Sequence, residues 1–152
     1  MIVRVDASNL MTAARVHAEA WQDAHRAFCT PDFIALHTTE RQRSYLQAKM
    51  ERGAVVYLLM TDRPAGIVSV TGCLIEDLYV LPSLQCQGHG TRLLRFAMER
   101  CEGTPTLWIL ENNDRAARLY RRMGFRETGR RNEIDRGLDE IEFAWTGREE
   151  NV

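Results

Sequence analysis

Apolar residues recur along this chain with two different periods. Leu10, Ala13, Ala14, Val16, His17, Ala20, Trp21 and Ala24 fall at helical spacing and predict a helix to about Arg26, capped by Ser8 or Asn9. Pro31 suits the first turn of a second helix through Leu36. Thr38 or Thr39 opens a third, which carries Tyr45, Leu46 and Met50 and stops at Gly53. Strands read differently. Ile2 to Val5 alternates weakly, Ala54 to Met60 is an unbroken apolar run, and Ala65 to Val70 returns after a turn at Thr61–Pro64. Cys73 to Val80 is the next strand. Helical spacing resumes with Leu93, Leu94, Ala97 and Met98 and runs to about Cys101. Leu107 to Leu110 reads as a buried strand, Asp114 to Met123 as a helix, and Phe125–Asn132 with Gly137–Trp145 as a closing antiparallel pair.

The element order is strand, helices, three strands, helix, strand, helix, two strands. That predicts a mixed α/β fold with a largely antiparallel sheet. With 152 residues the chain has the length for one domain, expected over residues 1–146, with 147–152 as a frayed tail. The net charge of −1 gives no footprint for nucleic acid, and no apolar run approaches the length of a membrane span. The four cysteines have no metal-ligand spacing and read as reduced thiols, so a cytoplasmic protein without a metal is expected. Lys49 is the only lysine.

The chemistry concentrates after the fourth strand. Leu78-Tyr79-Val80-Leu81-Pro82 leads into Gln85-Cys86-Gln87-Gly88-His89-Gly90, and Thr91 onward is helical. The glycines let the backbone turn and approach a ligand, and unpaired amides at a helix start suit a pyrophosphate. From physics alone this is a site for a phosphate-bearing cofactor. The spacing fits neither G-x-G-x-x-G nor the lysine-containing P-loop.

The pattern Q-x-x-G-x-G after a strand resembles the pyrophosphate loop of the GNAT superfamily, the acyl-CoA-dependent N-acyltransferases. A second segment strengthens the resemblance: strand Thr106–Leu110, then Asn113, a short helix carrying Ala117 and Tyr120, then Gly124-Phe125. The resemblance implies a sheet splayed between its fourth and fifth strands, with acetyl-CoA as co-substrate. It assigns the pyrophosphate to Gln85, Cys86, Gln87, Gly88, His89, Gly90 and Thr91, mostly through backbone amides. Leu78 and Val80 would pair with the pantetheine arm, and Asn113 would hold it through its side-chain amide; Asn113 also suits a helix cap.

Tyr120 is the implied general acid for the leaving thiolate, with aromatic packing as its ordinary alternative. Strand alternation places Leu74, Glu76, Leu78 and Val80 on one face and Ile75, Asp77 and Tyr79 on the other. Relatives often carry a proton-accepting side chain at the slots matching Leu74 and Glu76. Leu74 cannot do this, which leaves Glu76 as the general-base candidate, and Asp77 reads as structural. His17, Trp21, His25 and Phe28 share one face of the first helix, which in the superfamily lines the acceptor site. Trp21 would serve as a cation–π wall for an amine and His25 as a second contact. The imidazoles read first as a partly buried, hydrogen-bonded face.

The implied reaction is direct acetyl transfer to a primary amine of a small molecule or peptide. Two alternatives stand: a CoA-binding regulatory module with weak or no catalysis, and an acetyltransferase for a ribosomal protein or a charged tRNA. A homodimer through the last strands is compatible with either.

Overall fold

The computed structural model describes residues 1–147; the tail expected from Gly147 onward lies, apart from Gly147 itself, outside the described residues. In chain order the elements are β1 (Ile2–Arg4), α1 (Leu10–His25), α2 (Pro31–Ala35), α3 (Thr39–Glu51), β2 (Val55–Met60), β3 (Pro64–Thr71), β4 (Leu74–Val80), α4 (His89–Glu99), β5 (Thr106–Leu110), α5 (Asp114–Arg122), β6 (Phe125–Asp135) and β7 (Leu138–Trp145). The strands form a seven-stranded sheet in the order β1-β2-β3-β4-β5-β7-β6. β1–β2, β2–β3, β5–β7 and β6–β7 pair antiparallel. β4 and β5 run parallel and meet in register only at Leu74↔Thr106. The mixed, mostly antiparallel fold expected from the sequence is therefore present. β6 runs three residues past its predicted end, where Glu133 pairs with Asp139 and Asp135 with Leu138 across the strands.

The chain divides into two compact units. The first comprises Met1–Thr71 and Asp77–Arg100. Its core joins Val5, Leu10, Val16, Leu46, Val56, Leu58, Ile67 and Leu81. The alanines of α1 at positions 13, 14 and 20 are almost fully buried, and their small side chains let the helix backbone sit close to its neighbours. α4 buries Leu93, Leu94 and Ala97. Gly66 is crowded: an added Cβ would stand 2.8 Å from Leu93 Cδ1 and 2.9 Å from the Tyr79 carbonyl oxygen. Only glycine fits there.

The second unit comprises Gly72–Glu76 and the chain from Cys101. β5 and β7 pair along their length, and Leu107, Ile109, Ile141 and Phe143 are buried. α5 ends at Gly124, whose φ of 99° is the left-handed conformation that terminates a helix. Phe125 then turns inward with no exposed surface and packs edge-on to Tyr120. The Gly-Phe pair legible in the sequence is thus a helix stop followed by a core anchor.

Candidate functional site

The loop after β4 is built to present backbone amides. The Leu81 N–H bonds to the Ala65 carbonyl, and a short 3-10 turn over Pro82–Leu84 follows. Cys86 and Gly88 both take left-handed backbone, at φ of 61° and 83°. α4 starts at His89 with Gly88 as its N-cap and no side chain bonded to its first amides. Left-handed residues ahead of a helix start that has no side-chain cap are an arrangement that suits an anionic phosphate. Gly88 is required by its conformation, since an added Cβ would meet nothing within 4 Å. The Gln85 side chain fixes the loop in place: its amide donates to the Val80 carbonyl at 3.1 Å and pins the loop to the end of the strand. Gln87 is exposed, while His89 and Thr91 are half-buried at the helix start.

Behind that strand lies a buried polar cluster within the same unit. Asp77 is a non-glycine residue at φ 54°, in the middle of β4. Its carboxylate accepts from Lys49 Nζ at 2.6 Å, from Ser69 Oγ and His17 Nε2 at 2.9 Å each, and from the Tyr45 hydroxyl at 3.1 Å. Gln42 donates to the other nitrogen of His17 at 2.8 Å, so both ring nitrogens are spent and the ring is 1 % exposed. Burial alone would push the Asp77 carboxyl up. The His17 hydrogen bond and the Lys49 charge outweigh it and hold the group well below the usual carboxylate range. The structural role expected for Asp77 is what its partners support. Its left-handed backbone also breaks the pleat right after Glu76, so plain alternation does not carry Glu76 to the same face as Leu78 and Val80.

The remainder of the α1 stripe differs from the expectation for Trp21. His25 stacks on the Trp21 indole with ring centroids 4.0 Å apart, and His37 stacks on it at 3.5 Å. Two rings that close and that parallel would overlap on one face, so they cover opposite faces. The surfaces on which a cation would sit are already occupied by imidazoles, and Trp21 is not an open cation–π wall. His37, just beyond α2, was not singled out by periodicity, because no helical face links it to Trp21; only tertiary packing does. Burial lowers the proton affinity of both His25 and His37 below the ordinary histidine value.

The second unit holds the other expected residues. Tyr120 is 8 % exposed, and burial raises its phenol to about 12. Asn113 caps α5, its Oδ1 accepting from the Ala116 N–H at 3.2 Å, which leaves its amide donors uncommitted. Glu76 is half-buried on the first part of β4. Glu111 pairs with Arg131 at 2.7 Å. Among the described residues no group of three or more His, Cys, Asp or Glu is placed to hold a metal ion, and no helix is long and apolar enough to cross a membrane.

The amide loop ahead of α4 and the capped helix α5 with its buried tyrosine are the two segments on which the sequence resembles the GNAT superfamily. The family model of the GNAT acetyltransferase domain matches residues 43–127, and the chain belongs to this family. It is 35% identical over 74 residues to the peptidyl-lysine N-acetyltransferase YjaB of Salmonella typhimurium; that match spans 49% of this chain and about half (50%) of the relative's length. Its fold is similar to the solution structure of apo YjaB from Escherichia coli, with TM-score 0.73, 20% identity and coverage of 97% and 98% of the two chains. It is also similar to YncA, a putative acetyltransferase from Salmonella typhimurium solved with acetyl-CoA, with TM-score 0.68, 19% identity and coverage of 100% and 96%.

Proposed function

We propose that this GNAT acetyltransferase moves an acetyl group from acetyl-CoA to a primary amine of a small molecule or a peptide by direct transfer, in the cytoplasm. Residues 1–146 act as one N-acyltransferase domain. The observation that carries the reading is the loop from Gln85 to Thr91, with two left-handed residues and an uncapped helix start in a chain of this family. Its amides would hold the pyrophosphate of the cofactor, and the Leu78 and Val80 backbone together with the uncommitted Asn113 amide would hold the arm. The acetyl-CoA in the YncA structure and the peptidyl-lysine specificity in the name of YjaB support the cofactor and the acceptor class.

Tyr120 supplies the proton for the departing thiolate. A phenol near 12 stays protonated at neutral pH, and its oxygen makes no hydrogen bond among the described residues, so its proton is uncommitted. Glu76 orients the amine or receives its proton.

The test is a thermal shift with acetyl-CoA, CoA and ATP in parallel. Acetyl-CoA or CoA at 100 times its dissociation constant stabilises by about 2.7 kcal/mol, and ATP gives no shift. No shift with either thioester or thiol refutes the cofactor assignment. Tyr120→Phe then lowers kcat by roughly 10²-fold or more with unchanged acetyl-CoA binding. Tight acetyl-CoA binding with no turnover, unaltered by that substitution, is the signature of the regulatory-module alternative.

A further inference from the structure

Two cysteines that stand 28 positions apart in the sequence come together within the second unit. Cys73 sits in the turn that opens β4, and Cys101 follows α4. The Glu102 N–H donates to the Gly72 carbonyl at 3.0 Å. The peptide groups joined by this bond are the one that follows Cys101 and the one that precedes Cys73, so it ties the two cysteine backbones to each other. The Cys101 thiol donates to the Cys73 carbonyl at 3.6 Å, which aims its side chain at Cys73. The Thr106 N–H donates to the same carbonyl at 2.8 Å, and the Thr106 hydroxyl stands 3.9 Å from Cys73 Sγ. Thr106 of β5 thus fixes Cys73, and Cys101 leans on the residue so fixed.

A disulfide needs Cα atoms within about 7 Å of each other and side chains that do not point apart. A hydrogen bond between the peptide groups adjoining the two Cα atoms holds them on that scale. The Cys101 thiol, aimed at Cys73, satisfies its half of the second condition. Both thiols are half-buried, open enough to meet a small oxidant, and neither is in a disulfide. Burial and the neighbouring Cys73 push the Cys101 thiol up, so two thiolates side by side are disfavoured here. The pair also has a particular place along the chain. Between the two cysteines run β4, the loop Gln85–Thr91 and α4, so a bond between them closes a ring of chain around the amide loop.

We propose that Cys73 and Cys101 are a redox modification site: a hydroperoxide oxidant joins them in a reversible disulfide that staples the two ends of the segment bearing the amide loop. This does not rest on the acetyl-transfer reading. The Cys73 thiolate attacks a peroxide oxygen; an S–O bond forms, the O–O bond breaks, and the departing oxygen leaves as water with the proton that Cys73 gave up. The Cys101 sulfur then attacks the sulfenic sulfur. The S–S bond forms, the S–O bond breaks, and the second oxygen leaves as water with the proton of Cys101. Two electrons pass from the sulfurs to the peroxide, and a dithiol reductant returns them.

The full chain treated with a small excess of hydrogen peroxide, alkylated and cut with a glutamate-specific protease tests this. Cleavage after Glu76 parts Cys73 from Cys86, and cleavage after Glu99 parts Cys86 from Cys101. The expected product is a linked peptide pair carrying Cys73 and Cys101, absent after dithiothreitol. The ring closure restricts the unfolded chain, so in calorimetry the oxidised protein is expected to melt roughly 5 °C or more above the reduced one. Cys101→Ser is expected to give neither the linked pair nor the rise, whereas Cys86→Ser, which removes the exposed thiol, gives both. Linkage through Cys86 or Cys29 instead, or recovery of Cys73 and Cys101 as single thiols or sulfinic acids, overturns the proposal. So does a link between Cys73 and Cys101 that leaves the Tm unchanged or lowers it, because such a bond staples nothing. The peptide map is read on the unsubstituted chain and does not depend on how the variants fold.

Discussion

His17 and His25 stand about two turns apart on one face of one helix, and the structure gives them opposite characters. His17 is enclosed, with one nitrogen on Asp77 and the other on Gln42. His25 spends Nδ1 on a backbone carbonyl of its own helix and keeps Nε2 open. The first is a strut in a closed network that contains the chain's only lysine. The second is a group with a lone pair to give. Residue type and helical period are the same for both; what differs is which elements close over them. α3 and β4 supply both hydrogen-bond partners of His17, whereas His25, at the end of α1, meets β4 only through the Tyr79 ring.

The largest expected effect lies in the closed network. Asp77→Ala leaves the Lys49 ammonium buried without its counter-charge and places alanine in a left-handed conformation. A loss of about 3–5 kcal/mol is expected, or a Tm lower by roughly 6–20 °C in calorimetry. Asp77→Gly relieves the backbone strain but not the lost charge, so a similar loss in both variants assigns the effect to the carboxylate. Loss below about 1 kcal/mol in Asp77→Ala would break the comparison at its root.

His17→Ala comes next. It deprives both Asp77 and Gln42 of a partner and leaves a void, so roughly 2–4 kcal/mol is expected in urea unfolding. His25→Ala loses one stacked ring from a half-exposed site and is expected to cost about 1 kcal/mol or less. Equal costs for the two would erase the distinction drawn between them.

Acid unfolding sharpens it further. His25 and His37 have proton affinities lowered by burial in the folded chain, so the unfolded chain binds protons more readily. Stability from these two is fully present above the ordinary histidine value near 6.5 and is lost as pH falls below it. Asp77 is also lowered, so its contribution holds until pH drops below the ordinary carboxylate range near 3.9. Replacing both His25 and His37 by glutamine should flatten the upper window and leave the lower one, read as the midpoint in urea at successive pH values.

Much of this molecule was legible in its sequence. Local rules dictate the helices, because caps such as Thr38 and Asn113 and stops such as Gly53 and Gly124 act over a few residues. The amide loop was legible for the same reason: a strand end, two glycines and a helix start are consecutive. Its details were less so; nothing in the pattern gives Cys86 a left-handed backbone or sets Gln85 on the Val80 carbonyl. What only the tertiary structure decided involves distant residues. His37 reached Trp21 through the packing of α2 on α1, and its arrival closed the indole faces that were expected to receive a cation. Asp77 gathered partners from α1, α3 and β3, and its strained backbone interrupted the alternation that had been read through β4. Periodicity reports which side chains point inward. Which of them find partners, and which keep a free lone pair, depends on elements far apart in the chain meeting in space.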